Sequence, residues 1–268
     1  MILLNGKELS NTLYAKLENN DHRKLIILSV GDDAASKVYV RNKIKACEKV
    51  GAECKVISIS EHLSENAFRI KLLEIINKEF NKCKGGIILQ LPAPKKYQEV
   101  FNTCINAKMD VDGFGNENKQ LLVNSVPINY PATPKGIMTM LHEYNINVTG
   151  KHVVIINRSD IVGKPLAKMM LDKDATVTIC HSKTQNLEKI TRTADILVVA
   201  VGQPNFIKSD HISEGVTIID VGINRTDTGL CGDVDFEDCK DKCYAITPVP
   251  GGVGPMTVYS LIENVYSI

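Results

Sequence analysis

The chain has 268 residues, of which 44% are hydrophobic and 24% are charged, the composition of an ordinary globular protein rather than a disordered one. Its 32 basic and 31 acidic residues nearly cancel, leaving a formal charge of +1 and no long run of one sign. This balance argues against capture of nucleic acid or of an anionic membrane surface, because both need a basic face. The length suits two domains better than one.

Sequence signals for export, membrane insertion and metal binding are weak. The longest charge-free stretch, 243–262, carries prolines and glycines near its centre, so we predict a loop rather than a membrane span. The first ten residues lack the basic and apolar pattern of a secretory signal, which makes the cytosol the expected location. The eight cysteines and six histidines show no zinc spacing, so we expect reduced thiols and no structural metal.

Apolar runs of strand length alternate with segments of helical period, which predicts an α/β fold with parallel sheets covered by helices. In the first half, strands are predicted at 24–30, 54–59 and 86–89, with helices at about 35–50 and 64–80. Ser64 is expected to cap the second of these helices. The apolar stripe of that helix is predicted to comprise Phe68, Leu72, Ile75 and Ile76.

The middle of the chain changes character. Residues 107–134 are turn-rich and poorly periodic, which indicates a functional loop and a passage between domains. A helix is expected after Pro134, ending by Gly150. Beyond it, the predicted elements are strands at 153–156, 176–180, 196–201 and 216–221, forming a second parallel sheet, and a last helix at 256–264.

Residues 153–182 form a strand, a turn, a helix and a strand, the size of one dinucleotide-binding unit. The turn has Gly163 but lacks the three-glycine fingerprint. Pro165 suits the first position of a helix, which would leave amides near Gly163 facing an anion. Asn157 stands where the backbone is expected to be left-handed, a conformation that asparagine tolerates better than most residues.

The end of the second strand in this unit favours one cofactor over another. Enzymes that use NAD place an acidic residue there, whereas residues 181–184 of this chain are His, Ser, Lys and Thr. Arg158 and Ser182 could bind a 2'-phosphate, so the sequence favours NADP over NAD. An ordinary α/β loop with a surface arginine and serine remains the alternative. A phosphate-binding loop of the ATPase type is disfavoured because Pro165 follows Gly163 and Lys164.

Tyr39 and Lys43 lie four residues apart on a predicted helix and therefore share one face. A lysine desolvated in a pocket loses proton affinity and can act as a general acid or base near neutral pH. Tyr39 could hold this lysine and stack on a flat substrate. The alternative is an ordinary solvated helical lysine.

Other polar residues follow the first-half strands. Gln90 comes just past a strand, at the edge where open sheets bind ligands. Asp110 and Asp112 lie in a loop that Gly113 allows to bend tightly. The two carboxylates could bind a cation, or one of them could pair with a substrate amidine edge; a turn aspartate and a strand-end amide are the alternatives.

The run TPVPGGVGPMT at 247–257 is dense in proline and glycine, so its backbone could approach a ligand closely or form a turn before the last helix. Taken together, these segments resemble one family, the bifunctional methylenetetrahydrofolate dehydrogenase and methenyltetrahydrofolate cyclohydrolase called FolD. The resemblance covers most of the chain, in family order, through SVGDDAASKVYVRNKIKACEKVGA (29–52), GGIILQLPAP (85–94), DVDGF (110–114), PATPKGI (131–137), NRSDIVGKP (157–165), ATVTICHSKT (175–184), ADILVVAVGQP (194–204), IDVGIN (219–224) and TPVPGGVGPMT (247–257).

The resemblance implies roles for individual residues. Lys43 matches the family's catalytic lysine and Tyr39 its partner, while Gln90 matches the glutamine that tunes the lysine and Asp112 the aspartate that grips the pterin ring. Gly254 and Pro255 match the loop that flanks the folate. Arg158 and Ser182 match the pair that holds the 2'-phosphate. Further cofactor-binding positions are Thr133, Asn157, Ser159 and Ile223.

The resemblance also implies an architecture and an activity. It predicts two α/β domains with a cleft between them: a folate-binding domain of 1–121 with 250–268, and a Rossmann-like NADP-binding domain of 122–249. The implied enzyme oxidises 5,10-methylenetetrahydrofolate with NADP and hydrolyses the methenyl product to 10-formyltetrahydrofolate, in one-carbon metabolism. Its expected partners are tetrahydrofolate derivatives and a second copy of the chain in a homodimer. No metal is expected.

The chain departs from the common family pattern at several positions. Asn157 stands where the family commonly has glycine, and Met109, Gly115, Ala132 and Ala93 replace a lysine, a histidine, a cysteine and a leucine, respectively. These changes leave open a monofunctional dehydrogenase or cyclohydrolase. A further alternative, from another class, is a catalytically silent folate-binding or nucleotide-binding protein. Retention of Tyr39, Lys43, Gln90 and Asp112 argues against the silent protein.

Overall fold

A computed structural model describes residues 1–17, 23–31, 34–80, 84–227 and 229–267. The chain divides into two compact units. One, the three-stranded unit, comprises 12–132 and 258–268, and the other, the six-stranded unit, comprises 1–11 and 133–257. The chain crosses between them at 11/12, 132/133 and 257/258, whereas the predicted functional boundaries lie at 121/122 and 249/250. Those functional boundaries stay a prediction.

The helices and strands alternate along the chain, as the periodicity predicts. The helices are α1 (Gly6–Tyr14), α2 (Ala34–Lys49), α3 (Glu65–Phe80), α4 (Lys95–Cys104), α5 (Asn116–Val123), α6 (Ala132–Glu143), α7 (Gly163–Leu171), α8 (Leu187–Thr191), α9 (Phe236–Cys239) and α10 (Val253–Tyr266). The strands are β1 (Ile2–Leu3), β2 (Arg23–Val30), β3 (Glu53–Ile59), β4 (Lys84–Leu89), β5 (His152–Ile156), β6 (Thr176–Cys180), β7 (Ile196–Val199), β8 (Val216–Asp220), β9 (Asn224–Thr226), β10 (Gly229–Cys231) and β11 (Cys243–Ile246).

The three-stranded unit is built on a parallel sheet of order β3-β2-β4. Alternate side chains of β2 enter different cores, since successive residues of a strand point to opposite faces. Ile26 and Leu28 pack with α3 and α4, where the rings of Phe68 and Tyr97 stack with centroids 4.5 Å apart. Leu25 joins the other core, with α2 and the end of α10. The sheet is therefore covered on both faces, which leaves the carboxyl ends of its strands as the place where a ligand can bind.

The six-stranded unit contains a parallel sheet of order β1-β11-β8-β7-β5-β6. Strand β5 pairs with β6 on one side and with β7 on the other, so the strand order reverses between β5 and β7. In open α/β sheets, ligands bind outside the carboxyl ends of the strands at such a reversal. The α/β prediction and the parallel arrangement of both sheets are confirmed.

Most predicted elements lie within a few residues of the observed ones, and the exceptions are short. Ser64 caps α3 as predicted, since its Oγ accepts the Ala67 amide at 3.2 Å. The prediction of an irregular segment at 107–134 is wrong in part, because α5 forms within it. Strand β11 begins the stretch at 243–262 that was predicted to be a loop. The predicted turn after β2 falls partly, and Cys83 wholly, outside the described residues.

The seven cysteines in the part of the chain that the structure describes carry free thiols. Among the same residues, no three His, Cys, Asp or Glu side chains cluster so that they could hold a metal ion. None of the helices in the described ranges combines the length and apolar character that crossing a bilayer requires.

Candidate functional site

Lys43 lies on α2 in the three-stranded unit, and its side chain is buried, with 9% of the residue exposed. Its Nζ donates a hydrogen bond to Oε1 of Gln90 at 2.9 Å. Burial lowers the pKa of the Lys43 ammonium, and the nearby Asp112 carboxylate and the Cys54 and Cys47 thiols oppose that shift. The alternative of an ordinary solvated helical lysine is thereby excluded, and the lowered pKa makes the amine better able to exchange a proton with a ligand than a solvated lysine is.

Gln90 follows the last residue of β4 and is also buried. Its backbone amide continues the sheet by donating to the Leu28 carbonyl at 2.9 Å. Its side-chain Nε2 donates to the Leu91 carbonyl at 2.8 Å, which directs Oε1 towards Lys43. The amide is therefore held at both ends, and the lysine receives an acceptor whose position is set by the sheet.

Asp110 organises its loop rather than binding a cation. It is fully buried, and its carboxylate accepts the amides of Gly113 at 3.0 Å, Phe114 at 3.2 Å and Gly115 at 2.7 Å. The Asn118 side chain adds a fourth donor at 2.9 Å. With its oxygens occupied in this way, the cation alternative for this pair of aspartates has no support.

Asp112 differs from Asp110 in being only partly buried. Burial raises its pKa to about 6, while Lys43 lowers the pKa and the charge on Asp110 raises it. Gly113, which follows, has φ of +72°, and a Cβ added there would lie 2.6 Å from the Pro131 nitrogen. The predicted tight bend is therefore confirmed, and it leaves Asp112 at the accessible part of the loop beside Lys43.

Tyr39 lies one helical turn before Lys43 on α2, and 41% of it is exposed. One helix thus carries an accessible aromatic ring and a buried amine at a spacing of four residues. An exposed phenol ring of this kind can stack on a flat ligand, whereas the lysine can reach only a group that enters the interior.

Two exposed donors follow the neighbouring strands β5 and β6 of the six-stranded sheet. Ile156 of β5 pairs with Cys180 of β6, and Arg158 and Ser182 each follow two residues later, so they leave the same edge of the sheet. The set contains a guanidinium and a hydroxyl, and residues 181–184 contain no carboxylate. These groups fit the 2'-phosphate of NADP, because arginine binds phosphate through paired charged hydrogen bonds.

The loop between β5 and α7 differs from the prediction. The non-glycine residues with positive φ in the described ranges are Ser125, Asn145, Asp174, Asn186 and Asn205, so the left-handed backbone expected at Asn157 is wrong. The side chain of Asn157 is used instead. Its Oδ1 accepts the amides of Ser159 at 2.8 Å and Gly163 at 3.0 Å, and its Nδ2 donates to the Ala200 carbonyl at 2.6 Å.

The amides at the start of α7 are also occupied within the loop. The Val162 amide donates to Oγ of Ser159 at 3.1 Å, and the Lys164 amide donates to the Ser159 carbonyl at 3.1 Å. The expectation that amides near Gly163 face an anion is therefore wrong, because Asn157 and Ser159 accept them. The helix itself begins at Gly163, two residues before Pro165.

Three of the remaining predicted positions of the six-stranded unit, Gly254, Ile223 and Thr133, lie in two local contacts. A Cβ added to Gly254 would lie 3.5 Å from Cδ1 of Ile223, a residue that is 43% exposed. Oγ1 of Thr257 donates to Oγ1 of Thr133 at 3.1 Å. Pro255 lies in the first turn of α10. The roles of these residues in binding stay predictions.

Two buried aspartates that the sequence reasoning did not single out hold the loops at this edge. The Asp233 carboxylate accepts the amides of Val201 at 2.6 Å, Gly202 at 2.9 Å and Gln203 at 2.9 Å, which fixes the loop after β7. It also accepts Nδ2 of Asn224 at 2.8 Å. The sequence offers a signal only for Asp220, which ends the apolar run 216–219, because Asp233 lies among other acidic residues.

Asp220 is the second of these aspartates and ends β8. It accepts the amides of Gly222 at 2.9 Å, Asp233 at 3.0 Å and Val234 at 2.9 Å. Burial raises the pKa of Asp220 to about 7, and the charge on Asp233 adds to that shift while the donating amides oppose it. The carboxylates of Asp220 and Asp233 therefore stabilise the loops that follow β7 and β8.

Comparison with models of protein families assigns both parts of the chain to one family. The model of the tetrahydrofolate dehydrogenase/cyclohydrolase catalytic domain matches residues 4–112, and that of the NAD(P)-binding domain of the same family matches residues 131–268. A curated relative, the bifunctional protein FolD of Streptococcus thermophilus, is 44% identical over 277 residues, covering 99% of this chain and 96% of the relative.

Solved structures agree. The bifunctional FolD enzyme of Campylobacter jejuni superposes with a TM-score of 0.92 at 40% identity, covering 99% of this chain and 97% of that one. The FolD structure of Trypanosoma brucei, complexed with NADP and an inhibitor, gives a TM-score of 0.90 at 29% identity, covering 99% of this chain and 96% of that one. Because both domain models match and a relative is 44% identical over nearly the full length, the chain belongs to the tetrahydrofolate dehydrogenase/cyclohydrolase family.

Proposed function

We propose that this protein oxidises 5,10-methylenetetrahydrofolate to 5,10-methenyltetrahydrofolate with NADP and then hydrolyses the product to 10-formyltetrahydrofolate, as a bifunctional enzyme of one-carbon folate metabolism. The observation that carries the proposal is the buried Lys43 amine, hydrogen-bonded to Gln90 and placed beside Asp112. The family membership supports the substrate class, and the residues present supply the chemistry for it.

The first reaction needs the two reactants held in a defined geometry. NADP, when bound, accepts a hydride from the one-carbon bridge of the substrate, which leaves a cationic methenyl group. Arg158 and Ser182 hold the 2'-phosphate, and Ser159, Thr133 and Ile223 supply further contacts to the cofactor. Asp112 takes hydrogen bonds from the pterin ring and so orients the substrate, a contribution through proximity rather than proton transfer.

The second reaction needs protons moved. Water attacks the methenyl carbon and loses a proton, and the ring opens as a ring nitrogen gains one. A lysine whose pKa is lowered by burial can accept the first proton as an amine and deliver the second as an ammonium. Gln90 holds Nζ of Lys43 in place, and Tyr39 lies one turn away on the same helix to contact the substrate.

In this proposal one functional domain carries the folate site, to which Gly254 and Pro255 belong, and the other carries the cofactor site. The functional boundaries stay at 1–121 with 250–268 and 122–249. A homodimer is part of the proposal through the family resemblance alone. Light scattering coupled to size-exclusion chromatography tests it, and a mass of one chain would contradict it.

One assay separates the possible activities. Purified protein is supplied with methylenetetrahydrofolate and either NADP or NAD, while the absorbance of the methenyl product is followed as it rises and decays. We expect both phases, with NADP preferred. Formation without decay would indicate a monofunctional dehydrogenase, and decay of added methenyltetrahydrofolate without its formation a cyclohydrolase alone. Neither phase would indicate a silent binding protein.

A further inference from the structure

We propose that Asn157 determines how tightly this enzyme binds its cofactor, because its carboxamide oxygen occupies hydrogen-bond donors that a phosphate of the cofactor would otherwise use. The inference rests on the proposed function insofar as that function requires a nicotinamide dinucleotide at this edge of the sheet. It concerns the side chain of one residue, which makes it testable on its own.

The carboxamide of Asn157 is positioned as an internal substitute for an anion. Its Oδ1 accepts three hydrogen bonds: from the Ser159 amide at 2.8 Å, from the Ser159 hydroxyl at 2.7 Å and from the Gly163 amide at 3.0 Å. Three donors converging on one oxygen near the first residue of a helix are the arrangement that typically receives a phosphate oxygen. Here the acceptor comes from the protein.

Ser159 has no donor left for a ligand in this arrangement. A serine hydroxyl has a single proton, and that proton goes to Asn157. The oxygen of the same hydroxyl accepts the Val162 amide at 3.1 Å. Ser159 is one of the predicted cofactor contacts, so a phosphate that binds it through these donors must first break its bonds to Asn157.

The carboxamide is held at its other end as well. Its Nδ2 donates to the Ala200 carbonyl at 2.6 Å, and this bond connects the end of β5 with the residue after β7, at the reversal of strand order. Gly163 packs so closely on Asn157 that a Cβ added to Gly163 would lie 2.1 Å from the backbone carbonyl oxygen of Asn157. The loop therefore has little freedom to move the carboxamide away from its donors.

Two consequences follow for cofactor recognition. Phosphates of the central diphosphate, which NAD and NADP share, lose potential partners at Ser159 and Gly163. The exposed Arg158 and Ser182 are unaffected, and they recognise the 2'-phosphate that only NADP carries. Asn157 thus lowers the affinity for both cofactors while leaving the discrimination between them to the other pair.

The test is direct binding, measured by calorimetry with NADPH and with NADH as probes. Asn157→Gly removes the competing oxygen, and we expect the dissociation constants of both probes to fall by a similar factor of about 3 to 10, the effect of one or two hydrogen bonds. Asn157→Ala should act in the same direction without adding a glycine. Asn157→Asp keeps the acceptor and adds negative charge, so both probes should bind more weakly.

Asn147→Gly is the matched control, because Asn147 also accepts a loop amide, that of Thr149 at 3.0 Å, but it precedes β5 rather than following it. Its affinities should equal those of the wild type. Hydrogen exchange adds a second measurement: the Gly163 amide should exchange faster in free Asn157→Gly and slow again with NADPH.

The outcomes distinguish this inference from the proposed function. Binding of NADPH by the wild type together with unchanged or weaker binding by both Asn157→Gly and Asn157→Ala would overturn the role of Asn157 and leave the enzyme assignment intact. Failure of the wild type and every variant to bind either probe would overturn the proposed function itself. Tightening for NADPH but not NADH would also contradict the inference, because the diphosphate is common to both.

Discussion

In each of the two parallel sheets, the polar side chains of interest lie near the carboxyl ends of the strands, but one set is buried and the other is exposed. At the end of the three-stranded sheet, Lys43 and Gln90 are buried and bonded to each other. At the end of the six-stranded sheet, Arg158 and Ser182 are exposed, and the groups that are buried there are the loop-fixing carboxylates Asp220 and Asp233.

The difference agrees with the roles that the proposed function gives to the two sites. A general acid or base needs desolvation, because burial is what moves the pKa of an amine towards neutrality. A phosphate-binding pair needs the reverse, since a permanently charged guanidinium remains hydrated until a ligand replaces the water. In the proposed function, the buried amine therefore serves proton transfer and the exposed pair serves recognition of the cofactor.

The largest expected effect is at the buried amine. Lys43→Met removes the proton-transferring group but keeps an unbranched side chain in the core, so the rate of methenyltetrahydrofolate hydrolysis should fall by about 10²- to 10⁴-fold while the fold persists. Added methenyltetrahydrofolate is followed by its absorbance, with circular dichroism as the check on folding. The control is Lys45→Met, an exposed position on the same helix. Unchanged hydrolysis in Lys43→Met would refute the assigned role.

The second effect tests the exposed pair. Arg158→Ala should weaken NADP binding by about 10- to 100-fold, as expected for loss of charged hydrogen bonds, and should change NAD binding far less. Lys151→Ala removes a cation just before the amino end of the same strand and should alter neither. Equal losses for NADP and NAD in Arg158→Ala would mean that the arginine does not recognise the 2'-phosphate.

The fold could be predicted where the sequence is repetitive in the right way. Strands buried on both faces are short apolar runs, so β2, β5 and β8 stand out from the sequence. Strand β11 was missed because its four residues, CYAI, merge with a turn-rich stretch. Helix α5 was missed because eight residues give too few turns for a periodic signal.

The site could be predicted only in part, for a different reason. The spacing of Tyr39 and Lys43 is local, so it follows from one helix, but the contact of Lys43 with Gln90 spans 47 residues and was expected only from the family resemblance. The bond from Asn157 to Ala200 spans 43 residues and had no such guide. Propensity describes a residue's own backbone, which is why the sequence suggested a left-handed Asn157 when its side chain is what the fold uses.

The third effect is a shift of a pH profile. Gln90→Glu keeps the side-chain length but places a carboxylate against Lys43, so the pKa of the lysine should rise and the limb of the hydrolysis profile that requires the free amine should move up by about 1 to 3 pH units. Gln98→Glu makes the same charge change on α4 and should leave the profile in place. A uniformly lower rate with an unmoved limb would mean that Gln90 has only a structural role.

The smallest effect concerns the buried carboxylates of the six-stranded unit. Burial raises the pKa of Asp220 from 3.8 to about 7, so between about pH 4 and 7 the folded protein binds more protons here than the unfolded chain does. The free energy of unfolding should therefore fall as the pH rises through this window, and the contribution of Asp220 should be constant on either side of it. Urea titrations across this pH range measure the free energy of unfolding.

Asp220→Asn should flatten this part of the slope whatever its absolute stability, whereas the exposed Asp241→Asn should retain it. Buried groups with the same sign, such as Asp112 with its pKa of about 6, remain in both variants, so the difference between the two slopes isolates Asp220. Parallel slopes in wild type and Asp220→Asn would show that this carboxylate is ionised throughout, with its three amide hydrogen bonds outweighing its burial.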